Sequence, residues 1–164
     1  MKTIKSKNEM AEFLNKFNWD YFCTFSTSYT LTSKSARRAV ERFYDYFNQN
    51  YGGCNIMWAT EPFDLKEGCH LHALIKTDPS MLHSIKNSKE ALTKAWRKVT
   101  GGSDNINKRN QIHFRKYNPK LGANKYLIKY SDRSNADYDF FFGLNQHCKD
   151  KSVGFTELSQ IPSF

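Results

Sequence analysis

The sequence predicts an α+β fold, an antiparallel sheet with helices mainly on one face and an open face free to hold a ligand. Three observations predict it. Apolar and aromatic residues alternate with polar ones in several short runs bounded by turn-forming segments, which is strand spacing. In two longer stretches they recur at three- and four-residue steps, which is helix spacing. The two patterns follow one another as strand, helix, strand, strand, helix, strand, the split βαβ order of ferredoxin-like and RRM-like domains, with additions at the end.

In chain order, a helix is expected over 8–17, then an aromatic strand, "DYFCTFST", closed by the polar segment 26–35. The clearest helix covers 35–51. Ala36, Val40, Phe43, Tyr44 and Phe47 form its apolar stripe, while Arg37, Arg38, Glu41 and Asp45 take the other side, so it should lie on the sheet. Two strands, "CNIMWATEP" and "CHLHALIKT", flank a charged turn through Asp64, Lys66 and Gly68 and should pair as an antiparallel hairpin. A helix over 88–100 packs Leu92, Trp96 and Val99 and stops at Gly101-Gly102. A strand, "QIHFRKY", a short helix over 123–131 and a last strand, "YDFFFG", complete the reading. Trp19, Trp58 and Trp96 are expected in the core, and no internal repeat interrupts the pattern.

A chain of 164 residues with 39% hydrophobic and 15% aromatic content can bury one core, so a single domain over 1–164 is expected. The formal charge of +9, from 25 Lys and Arg against 16 Asp and Glu, and a pI of about 9.4 favour a polyanionic partner such as nucleic acid. No apolar run approaches the roughly 18 residues of a spanning helix, and "MKTIKSKNEM" lacks the apolar stretch of a signal peptide. An intracellular protein with no membrane partner is the expectation. Cys23, Cys54, Cys69 and Cys148 form no CxxC pair, so neither a zinc knuckle nor a redox motif is suggested, and reduced, mostly buried thiols are the expectation.

The segment "GCHLHALIKTD" carries the first candidate chemistry. Side chains alternate along a strand, so His70 and His72 share one face while Cys69, Leu71 and Ala73 take the other. Neutral imidazole is the commonest protein ligand of a divalent cation, but two histidines are only part of a site. Glu61, at the end of the preceding strand, can meet them across the hairpin, and two histidines with one carboxylate leave coordination positions open. The competing reading is two solvated histidines on a wet sheet face. The segment "ANKYLIKYSD" adds Tyr126, Lys129 and Tyr130, at steps i, i+3 and i+4 on one helical face. These residues either pack on the sheet or present a tyrosine nucleophile, which needs activation because a phenol's ordinary pKa is about 10.

Taken in order, "FCTFST", "WATEPFDLKEGCHLHALIK" and "KYLIKYSD" resemble the three motifs of the HUH endonucleases, specifically the rolling-circle replication initiators (Rep) of small single-stranded DNA viruses, phages and plasmids. The resemblance spans roughly residues 20–132. It implies a metal-dependent, site-specific endonuclease and strand transferase acting on single-stranded DNA at a replication origin, in a hairpin or not. Glu61, His70 and His72 would hold Mn²⁺ or Mg²⁺. Tyr126 would attack the scissile phosphate and leave a 5′-phosphotyrosine link, with Lys129 stabilising charge. Tyr130 follows Lys129 directly, and members with two reactive tyrosines exist, but the YxxK spacing selects Tyr126. The chain has no room for a helicase domain, so a host helicase in the cytoplasm is the expected partner.

Between Lys108 and Arg133 eight basic residues face the single acid Asp132. Of these, Arg115, Lys116 and Lys125, together with Tyr130, are the candidate DNA contacts, for phosphates and for base stacking. His83, His113 and His147 have no partner at ligand spacing. Two other readings stand beside the initiator. One is an HUH relaxase or transposase. The other is a non-catalytic single-stranded nucleic-acid-binding module, against which the lack of an RNP-type aromatic signature counts.

Overall fold

Five strands form one antiparallel sheet in the order β4-β1-β3-β2-β5, with β1 Tyr21–Ser26, β2 Cys54–Pro62, β3 Cys69–Thr77, β4 Gln111–Lys116 and β5 Tyr138–Phe142. The first four take the ferredoxin-like order, and β5 extends the sheet beside β2. The structure is a computed structural model and describes residues 4–79, 85–101 and 110–144. Helices α1 (Ile4–Asn15), α2 (Ser33–Tyr51), α3 (Ile85–Thr100) and α4 (Ala123–Leu127) complete the α+β fold. No helix among the described residues is long and apolar enough to cross a membrane.

The main core lies between the sheet and the two long helices. The apolar stripe of α2 buries Ala36, Val40, Phe43 and Phe47 completely, and α3 contributes Leu92 and Trp96. Phe25 of β1 meets Trp96 and Phe43 edge-on at centroid distances of 4.7 and 5.5 Å, and the Trp96 indole donates to the Ser26 carbonyl at 2.8 Å. Trp19, Trp58 and Trp96 are all buried, as their sequence context suggests. So are the free thiols Cys23, Cys54 and Cys69, and burial pushes each of them up, Cys69 to about 11. Cys148 lies outside the described residues, as do His83, His147, Lys108 and Arg109.

Helix α2 begins two residues before the predicted start because Thr32 and Ser35 form a reciprocal cap. The Thr32 hydroxyl accepts from the Ser35 amide, and the Ser35 hydroxyl accepts from the Thr32 amide at 2.9 Å.

The second face of the sheet is less open than the sequence suggests. Helices α1 and α4 pack on it, and Met10, Ala11, Leu14, Leu127 and Ile128 form a smaller core with Met57, Ala59 and Leu74. The apolar side of α1 needs a partner, and these three strand residues supply it. Helix α4 is also shorter than the predicted 123–131. After Leu127 the chain turns with bonds from Lys129 N to Tyr126 O, Ser131 N to Ile128 O and Arg133 N to Tyr130 O. The adjacent Leu127 and Ile128, at the junction of helix and turn, are both buried in the small core.

Candidate active site

The uncovered part of the second face carries the histidine strand. In the β2–β3 hairpin Glu61 stands opposite His70 and Ala59 opposite His72, and across β1 Thr24 stands opposite His72. Alternation then puts Glu61, His70, His72, Thr24 and Phe22 on the same side of three adjacent strands. The hairpin turn closes through Phe63 N to Gly68 O, and Cys69 N bonds to Leu31 O at 2.8 Å. Gly68 sits at φ 109°, and a Cβ there would stand 2.4 Å from the Thr30 methyl, so only glycine fits the approach that aligns this strand.

Three of the candidate residues meet at one oxygen. Glu61 Oε2 accepts from Tyr126 Oη at 2.8 Å and from His72 Nε2 at 2.9 Å. Burial lowers the His72 pKa below its ordinary 6.5 against the opposing pull of Glu61, so the ring is neutral at neutral pH and carries one proton. A carboxylate can only accept, which assigns that proton to Nε2. Nδ1 is therefore an acceptor, and the Thr24 hydroxyl donates to it at 3.1 Å. Phe22 stacks on the imidazole at 5.7 Å with a 12° interplanar angle, and Tyr126 meets it edge-on at 5.4 Å.

The electrostatics follow from these contacts. Partial burial would raise Glu61, but hydrogen bonds from Tyr126, Tyr130 and His72 outweigh it and hold the carboxyl below its usual range. Tyr126 moves the other way, pushed up to about 12 by burial first and then by the hydrogen bond and negative charge of Glu61. The phenol is thus a protonated donor to Glu61 at neutral pH. Its residue remains 42% exposed, so a macromolecular substrate can reach the ring.

The remaining candidates divide. His70 shares the face, but its ring lies 6.0 Å from that of His72 and is held edge-on at 4.5 Å by Phe63. Lys129 is exposed just beyond α4, with its ammonium 4.7 Å from the Tyr130 ring centre, and Arg133 lies over that ring at 4.4 Å. Tyr130 is therefore enclosed by cations and contributes to the site through Glu61. Arg115 and Lys116 line a cleft of about 360 Å³ that also holds Thr24, His72, Leu121 and Tyr126. Lys125 is exposed on α4 and is not among the residues lining that cleft. His113 is exposed on β4.

Among the described residues, no three His, Cys, Asp or Glu side chains stand close enough to form a ready metal-binding group. The donor set nevertheless suits a divalent cation: a depressed carboxylate, a neutral imidazole beside it and a second imidazole on the same face. His72 also has the means to free Nε2. Moving its proton to Nδ1 lets the ring donate to Thr24 Oγ1 in place of accepting from it, because a hydroxyl can do either.

Sequence reasoning assigned no role to Thr24, Phe22 or Lys7. Lys7 donates to the Lys129 carbonyl at 2.8 Å and pairs with Asp132 at 2.8 Å, which ties α1 to the turn after Tyr126. The signal for Thr24 and Phe22 lay in the alternation of β1, but it could be read only with β3 known to be its neighbour. Compared with known family models, curated proteins and solved structures, the chain matches none.

Proposed function

We propose that the protein is a metal-dependent, site-specific single-stranded DNA endonuclease and strand transferase of the HUH type, initiating rolling-circle replication. The observation that carries this reading is the meeting of Tyr126, Glu61 and His72 at one carboxylate oxygen, with bonds of 2.8 and 2.9 Å. Residues 65 and 11 positions apart in sequence converge there, and this proximity of the candidate nucleophile to two of the candidate metal ligands supports the reading. In this reading Arg115 and Lys116 hold backbone phosphates beside the nucleophile, and Lys125 extends the basic surface. The Tyr126 oxygen attacks phosphorus, its proton leaves through Glu61, and the phosphorus bond to the 3′ oxygen breaks. The 3′ oxygen takes up a proton, and the 5′-phosphate stays on the tyrosine. Reversal of the same step joins ends. Lys129, one turn from Tyr126, stabilises charge on the phosphate. Glu61, His70 and His72 would hold a Mn²⁺ or Mg²⁺ ion, which would supply Lewis-acid polarisation of a phosphate. The enzyme acts on an origin strand in the host cytoplasm, beside a host helicase.

The test is to incubate the protein with labelled single-stranded candidate origin DNA and Mn²⁺ and to resolve covalent adducts on a denaturing gel. The expected outcome is an adduct in the wild type and in Tyr130→Phe, and none in Tyr126→Phe. The reverse pattern moves the nucleophile to Tyr130. DNA binding without an adduct, unaffected by chelator, makes the protein a binding module instead.

A further inference from the structure

A second cleft among the described residues is separate from the Glu61 cluster. It is a cleft of about 860 Å³ between the end of α1, the first residues of β1, the end of β3 and the start of α3. Lys16, Lys76, Lys89 and Lys116 line it, against the single acid Asp20. That acid is already engaged: its carboxylate accepts from Lys76 Nζ at 2.9 Å, from the Thr77 amide at 2.9 Å and from the Thr77 hydroxyl at 3.1 Å. Asp20 thereby anchors the wall and offsets one lysine, which leaves the cleft positive. Lys89 stands over the Tyr21 and Phe114 rings at 5.8 and 5.7 Å, so its ammonium is held at the cleft wall by aromatic faces. Tyr117, half-buried, lines the same space and donates to Asn15 Oδ1 at 3.2 Å.

Lys116 lines both this cleft and the smaller one holding Tyr126 and His72, so the two are neighbours along the β1–β4 edge. A ligand long enough to lie across both would meet basic side chains in each. We propose that the cleft bounded by Lys16, Lys76, Lys89 and Lys116 is a second binding site for single-stranded DNA, holding nucleotides that flank the phosphate at Tyr126. The volume admits nucleotide-sized groups, the lysines meet phosphates, and Tyr117 offers an aromatic edge to a base. This deepens the endonuclease reading and rests on it for the substrate, though not for the chemistry.

The experiment measures anisotropy of a fluorescein-labelled single-stranded DNA pool of random sequence, about 30 nucleotides long and so longer than one site, without added cation. Wild type and the double variant Lys16→Gln/Lys89→Gln are compared over a salt series, with thermal melting to establish that the variant is folded. Loss of two phosphate contacts should weaken binding roughly tenfold at low salt and reduce the log–log salt slope by about 1.4. Unchanged affinity and slope in the folded variant, or tighter binding of the duplexed pool than of the single strand, overturns the assignment. Failure of the wild type to form a covalent adduct overturns the endonuclease reading alone, because the changed slope would still place single-stranded DNA in this cleft.

Discussion

Glu61 sets the state of the two groups that bond to it. After burial, the largest cause, its hydrogen bond and negative charge help push the Tyr126 phenol to about 12, while its bond to His72 fixes the imidazole proton on Nε2. Protonation of the phenol is thereby coupled to the charge of Glu61. The coupling has a direct test in the protein alone. Glu61→Gln keeps an acceptor oxygen but removes the charge, so the Tyr126 pKa should fall from about 12 toward the ordinary 10.0, with burial leaving it somewhat above. Tyrosinate absorbance during alkaline titration reads this, with Tyr126→Phe in the same background identifying the group. An unmoved titration would show that Glu61 does not hold the phenol. Strand alternation and helical steps, which are local properties, showed that His70 and His72 can share a face, and the resemblance to Rep initiators singled them out with Glu61 and Tyr126. Neither could identify the shared oxygen, which depends on where α4 ends and on the hairpin register.

At the level of elements, the edge strand β5 is fastened to α2 by Arg37. The guanidinium binds Asp137 in a bidentate pair at 2.7 and 2.7 Å, reaches Asp139 at 2.7 Å and lies 5.0 Å from the centre of the Trp58 ring. Its pKa is raised by the Asp137 hydrogen bonds above all. Thr60 closes the same junction, since its amide donates to the Asp137 carbonyl at 2.8 Å and its hydroxyl accepts from the Asp137 amide at 2.7 Å. Thr60 precedes Glu61, so this clasp also steadies the strand end that presents the carboxylate. Arg37→Ala should cost about 1–2 kcal/mol in urea unfolding, a figure reduced for partial exposure. Arg37→Lys should recover less than half of it, because an ammonium cannot make the forked pair. Equal stability of all three proteins would sink the clasp. The two long helices, the hairpin and the ferredoxin-like order were legible from periodicity, but this junction was not. Arg37 read as part of a solvated face, and only the return of β5 beside β2 brings two aspartates, a hundred residues away, against it. The same holds for α1, which was expected over 8–17 and spans Ile4–Asn15, while its seat on the second face of the sheet was not legible.

For the whole molecule, the charge of +9 and the site chemistry make acid the direction of weakness. His72 has a folded pKa below its ordinary 6.5, so as pH falls through 6.5 the unfolded chain takes up this proton first and stability drops until the folded group also titrates. Glu61 is likewise depressed, from 4.5, so its contribution is present above 4.5 and lost as pH falls through the folded value. In both cases the unfolded state binds more protons, and the two losses follow one another as the solution is acidified. Repulsion among 25 Lys and Arg grows over the same range as carboxylates neutralise. Urea unfolding at stepped pH should therefore show stability falling below 6.5 with a slope of at most about 1.4 kcal/mol per unit from one histidine. In His72→Gln, which cannot take up a proton, the curve should be flatter just below 6.5 and keep its steeper descent below 4.5. The two limbs thus separate the imidazole from the carboxylate. An identical slope below 6.5 in the variant would mean that His72 titrates alike in the folded and unfolded chains, and that the buried, neutral imidazole bonded to Glu61 is the wrong description of this site.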